Sequence, residues 1–219
     1  MFELTTIQQI SIGLLPILFA ITFHEAAHAW VAWYFGDSTA KMLGRLTFNP
    51  IKHIDLIGTI VVPLLTLMIS QSNFVFGWAK PVPINPSQFT HPRRDLALAT
   101  LAGPAANLLM ALSWAVCFKV CAMAATEPSN IVVFILLAAR AGIMINLLLA
   151  FLNLIPIPPL DGGRIMTSLL PPQQALLLAK IEPFGFIILI TLAMTGALGW
   201  LITPPIQLTL ALIHSLLNI

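Results

Sequence analysis

From Ile7 to Tyr34 the only formally charged residue is Glu25, and this run constrains the fold more than any other feature of the chain. As a helix it is long enough to cross a bilayer, whose hydrocarbon core needs about 20 apolar residues. With 58% hydrophobic and 8% charged residues over 219 positions, and a mean hydropathy of +0.95, no water-soluble surface can be built; soluble domains carry about 25% charged residues. The chain reads as an all-α polytopic membrane protein with the lipid bilayer as its solvent. A net charge of +2, with basic residues scattered through loops, excludes nucleic acid as a partner. Glu3 and the absence of any Lys or Arg ahead of the run argue against a cleaved secretory leader, so the run reads as a retained helix.

Inside it lies Phe23-His24-Glu25-Ala26-Ala27-His28-Ala29, an HExxH pattern. Two histidines four apart on a helix are offset by only about 40°, so both imidazoles can bind one metal from the same face. Zinc is the first expectation. Glu25 lies about 100° round from His24, off the ligand face, but can reach a water in the open position of such a metal and act as general base. An acidic side chain near mid-membrane costs roughly 2.5–3.5 kcal/mol on insertion scales, so polar groups at that depth mark a functional site by default.

Five to six hydrophobic segments are expected within a single domain spanning 1–219. After the first run, Ile54 to Ser70 is apolar except for Asp55 but carries Gly58 and Pro63, and either crosses or is re-entrant over 54–71. Leu96 to Ala125 spans, with Lys119 near its far end, and Ile131 to Leu152 spans, with Arg140 and Asn146 inside it and no partner evident for Arg140. Leu169 to Ile181 reads as an amphipathic interfacial stretch, followed by closing segments at Phe184 to Trp200 and Pro204 to Leu217. Between the second and third segments, Pro81, Pro83 and Pro86 exclude regular helix and suit a short extended segment near the active site. Such a segment is suited to pair with an unwound peptide by strand addition. Cys117 and Cys121 sit four apart in an apolar span and read as packing residues.

A catalytic zinc usually takes three protein ligands. Among the remaining carboxylates, Asp161 alone lies in a rigid proline and glycine turn closing an apolar span; the same position also suits a helix N-cap. The paired motifs, His24 to His28 and Asn153-x-x-Pro156-x-Pro158-x-Leu160-Asp161-Gly162-Gly163, resemble the signature of the site-2 protease family of intramembrane zinc metalloproteases. Gly103-Pro104-Ala105-Ala106-Asn107 and Gly77-Trp78-Ala79-Lys80-Pro81-Val82-Pro83 are similar to stretches of its short bacterial members without a PDZ domain.

The resemblance implies that His24, His28 and Asp161 ligate zinc, that Glu25 is the base, and that Asn153 and Asn107 position substrate or stabilise the oxyanion. The family-like core covers about 7–165, and the C-terminal hydrophobic segments, about 184–218, add little to it. The expected activity is hydrolysis of peptide bonds in or near the transmembrane segment of membrane-anchored proteins, in a bacterial-type cell membrane. If the first residues lie outside and 54–71 is re-entrant, Lys41, Arg45, Lys52, Lys80, Arg93, Arg94, Arg164 and Lys180 all face the cytoplasm, in accord with the positive-inside rule. The active site would then open to that side. Two rival readings remain: a metal transporter or metal-binding scaffold using the same ligands, and an HExxH peptidase at the membrane face with Glu127 or Glu182 as third ligand.

Overall fold

The computed structural model describes residues 5–62, 77, 79–125, 127 and 129–218, and among these it contains no strand. Among the described residues lie eight α-helices: α1 (Thr6–Tyr34), α2 (Thr39–Met42), α3 (Pro92–Ala124), α4 (Asn130–Asn153), α5 (Asp161–Leu169), α6 (Pro172–Ala179), α7 (Gly185–Met194) and α8 (Ala197–Leu217). Helix α1 starts in a capping box: Thr5 Oγ1 accepts from the Gln8 N–H at 3.3 Å, and Gln8 Oε1 accepts from the Thr5 N–H at 2.9 Å. Helix α3 starts with Pro92, whose missing N–H costs nothing in a first turn.

Among the described residues, five helical stretches are long and apolar enough to cross a membrane: Ser11–Tyr34, Pro92–Ala124, Asn130–Asn153, Pro172–Met194 and Ala197–Leu217. The chain is an integral membrane protein. Of the stretch 54–71, residues 63–71 lie outside the described residues, and with them the choice between crossing and re-entry; Leu56–Val61 forms a π-type turn whose first N–H groups are capped by Asp55. Its flanks meet, because the Lys80 N–H donates to the His53 carbonyl at 3.0 Å.

The C-terminal third divides differently from the expectation. The amphipathic stretch breaks at Leu170 and Pro171, and its helical part, α6, belongs to the span-length stretch Pro172–Met194. The boundary between the closing segments falls at Gly196, which adopts a left-handed conformation (φ 77°), instead of between Trp200 and Pro204. Pro204 and Pro205 stand inside α8, as prolines in membrane helices do when neighbours re-satisfy the freed carbonyls.

Lipid offers no hydrophobic drive to pair helices, so the bundle depends on close packing of small residues. Ala20, Ala26 and Ala29 of α1, Ala99 and Ala111 of α3, and Ala139 and Ala150 of α4 are all fully buried. Leu109, Val120, Ile131 and Leu216 point outward. Arg140 is exposed on the outer face of α4, near the exposed Leu137 and Met144, with no partner among the described residues.

Gly142 shows how tight the α3–α4 crossing is: a Cβ there would lie 2.5 Å from the Trp114 ring. Gly142→Ala is expected to cost about 1–3 kcal/mol through overpacking, read as a lowered melting temperature in detergent. Gly199→Ala in α8, where an added Cβ meets nothing within 4 Å, should not lower it.

Candidate metal centre

Helix periodicity places His24 and His28 on one face of α1, and their ring centroids lie 4.6 Å apart. Their Nε2 atoms approach to 3.0 Å. Asp161, the first residue of α5, completes the group: its Oδ2 is 3.1 Å from His24 Nε2 and 3.3 Å from His28 Nε2. All three residues are buried. Asp161 is not the cap of its helix. Leu160 occupies that position, and Asp161 Oδ2 finds no hydrogen bond among the described residues.

Glycines bring these elements together. A Cβ on Gly103 of α3 would lie 2.4 Å from His28 Nε2 and 2.7 Å from His24 Cε1, so no other residue lets α3 close over the imidazoles. Gly162 and Gly163 press α5 onto the preceding turn, where a Cβ would come within 2.3 Å of the Leu154 carbonyl and 2.2 Å of the Pro158 nitrogen. That contact fixes where α5 begins, and with it the Asp161 carboxylate.

The hydrogen bonds behind the rings determine what faces forward. His28 Nδ1 lies 2.8 Å from the Ala99 carbonyl, which can only accept, so Nδ1 carries a proton and in the neutral ring Nε2 keeps its lone pair. His24 Nδ1 lies 2.6 Å from Asn107 Oδ1. The Asn107 amide nitrogen donates to the Ala20 carbonyl at 3.2 Å and to Asn146 Oδ1 at 2.9 Å, which turns its oxygen toward His24. His24 Nδ1 is therefore also protonated. Two bare nitrogens and a carboxylate oxygen thus converge within 3.0–3.3 Å, an arrangement that repels itself unless a cation lies between. A tetrahedral zinc with ligands at about 2.0–2.1 Å sets them roughly 3.3–3.4 Å apart, so the donors fit that ion in chemistry and in spacing.

Glu25 stands beside this group, half-buried, and its Oε2 accepts the Val82 N–H at 2.7 Å. Val82 belongs to the stretch 79–85, which has no regular secondary structure. Arg45 Nη2 donates to the Lys80 carbonyl at 2.7 Å, and Asp37 Oδ2 accepts the Asn85 N–H at 2.6 Å. Asp37, Arg45 and His53 are buried and hold this stretch against α1. Sequence analysis gave Asp37, Arg45 and His53 no such role; the prolines at 81, 83 and 86, which deny this stretch a regular hydrogen-bond pattern, were the available signal that side chains must hold it.

Asn107 reaches the centre from behind, fully buried with its amide committed. Asn153, half-buried at the end of α4, donates to the Leu149 carbonyl of its own helix at 3.0 Å, with no hydrogen bond to His24, His28 or Asp161 among the described residues. Asn146, noted in the sequence only as a polar residue in a span, is fully buried against Asn107.

Comparison with known proteins agrees with this chemistry. Residues 119–195 match the model of Peptidase family M50. The chain is 37% identical over 193 residues to YwhC of Bacillus subtilis, provisionally named a zinc metalloprotease, covering 87% of this chain and 83% of that one. It is 32% identical to Rip2 of Mycolicibacterium smegmatis, which carries the same kind of provisional name, over 83% of this chain and 66% of that one. No solved structure matches it. The chain belongs to peptidase family M50, the site-2 protease family, and is a zinc metallopeptidase of the membrane.

Proposed function

We propose that this peptidase cleaves membrane-anchored proteins in or near their transmembrane segments, with His24, His28 and Asp161 holding zinc and Glu25 as general base. One observation carries the reading. His24 sits about 20 Å and about 15 Å from the two ends of the Ser11–Tyr34 span, at 1.5 Å per residue, which is the depth of a bilayer centre. The whole of 1–219 acts as one membrane-embedded domain around that point.

Bound zinc lowers the pKa of a water to about 7 and polarises a peptide carbonyl. The chain's own residues do the remainder. Glu25 keeps Oε2 on the Val82 N–H, leaving Oε1 to take the proton of the attacking water and return it to the leaving nitrogen. Asn107 and the Ala99 carbonyl hold the two imidazoles with Nε2 forward. Asn153 has one amide hydrogen beyond its bond to Leu149, and we assign it to meeting the substrate.

A substrate helix must unwind first, because its carbonyls are tied up in backbone bonds. We place the unwound strand beside 79–85, where Pro81 and Pro83 leave carbonyls without competing N–H groups. Arg45 bonded to Lys80, and Arg93 bonded to the Ser168 and Leu169 carbonyls, gather basic residues at one end of the bundle. By the positive-inside rule that end faces the cytoplasm of a bacterial-type membrane and admits water to the site.

In detergent, Glu25→Gln should keep its zinc and lose at least about 100-fold of its cleavage of a single-span substrate. Unchanged cleavage would dismiss the assignment, and a metal carrier would show no dependence on Glu25. Asp161→Asn should weaken zinc binding by more than about 100-fold, beyond the effect of an outer partner. In a background lacking Cys117 and Cys121, a cysteine at Ile84 should react with an aqueous thiol reagent applied from the cytoplasmic face. Labelling only from the opposite face would reverse the orientation.

A further inference from the structure

His28 and His24 are oriented by unlike partners. The Ala99 carbonyl behind His28 has one possible polarity, since a backbone oxygen only accepts. Asn107 behind His24 is a side-chain amide, and the reversed amide would present N–H to Nδ1. That reversal would move the ring proton to Nε2 and turn a metal donor into an N–H. Something must hold the amide in one sense.

Asn146 of α4 supplies this. Its Nδ2 donates to the Gly142 carbonyl, one turn back in its own helix, at 2.8 Å; that oxygen only accepts, so Asn146 Oδ1 is forced toward Asn107 Nδ2. The Ala20 carbonyl receives the second Asn107 N–H at 3.2 Å. Reversing Asn107 would set its oxygen against two acceptors, both in a sealed site. Asn107 and Asn146 are each 0% exposed, so water cannot repair the mismatch. Hydrogen-bond direction is thereby continuous from His24 through Asn107 and Asn146 to the Gly142 carbonyl, crossing α1, α3 and α4. Buried amides at membrane depth are costly and rare, and no other part of the site uses Asn146.

We propose that Asn146 is a positioning residue for the metal centre: acting through Asn107, it holds His24 as the tautomer whose Nε2 lone pair faces the ion. This rests on His24 being a zinc ligand.

The test measures zinc affinity of the full chain in detergent by chelator competition, alongside the melting temperature of each zinc-free variant. Asn107→Leu should weaken zinc about 10–100-fold, the usual effect of removing a partner behind a ligating histidine. Asn146→Leu should weaken it by roughly 3–10-fold, and the double variant no further than Asn107→Leu alone, because both act along one chain of bonds. In zinc-free protein labelled with 15N-histidine, Asn146→Leu should raise the share of His24 protonated at Nε2. If Asn146→Leu does not fold, Asn146→Ala serves for both measurements. Additive losses, or unchanged affinity and tautomer in the Asn146 variant while Asn107→Leu binds poorly, would overturn the role of Asn146. Unchanged zinc affinity in His24→Ala would instead remove the ligand assignment beneath it.

Discussion

Two imidazole nitrogens and a carboxylate oxygen, all lone pairs and all out of water, are brought within 3.0–3.3 Å of one another. Nothing in that meeting is favourable without a cation, so the surrounding structure has to impose it. Helix α1 supplies two of the donors by periodicity alone. The third must be delivered by a separate element, and the delivery depends on glycines: Gly103 lets α3 seal the imidazoles, and Gly162 and Gly163 seat the start of α5 against the turn before it. Small residues at the helix crossings make such approaches possible in a solvent that does not itself drive helices together.

Much of this was legible in the sequence because it is local. The spans show as uncharged runs, and the His24 and His28 pair shows as a spacing. Asp161 stood out among the carboxylates by its proline and glycine turn, but the same position suits a helix cap, and the resemblance of the paired motifs is what implied a ligand. What stayed hidden depends on contacts between distant residues. His24 and Asn107 are 83 positions apart, and Asn107 and Asn146 are 39 apart; neither link leaves a periodic trace. The boundary at Gly196 was missed for another reason. The last segment was expected to begin at Pro204, but a membrane bundle tolerates Pro204 and Pro205 inside a helix.

The stretch 79–85 shows how irregular backbone is kept in order. Lys80 is held through both its N–H and its carbonyl, by His53 and Arg45, and Asn85 through its N–H, by Asp37. Between these anchors, Val82 donates to Glu25. The position of the carboxylate and the path of the stretch are therefore one structural fact: displacing either changes the other.

The proposed ligands lie far apart along the chain, with His28 near the start and Asp161 beyond residue 150. At ribosomal rates of about 5–20 residues per second, on the order of ten seconds separates the making of one from the making of the other. Through that interval the first helix resides in the translocon or the lipid with an acidic residue and two imidazoles lacking their final partners. The metal centre we propose is thus incomplete until the start of α5 has been made, so synthesis itself delays hydrolysis.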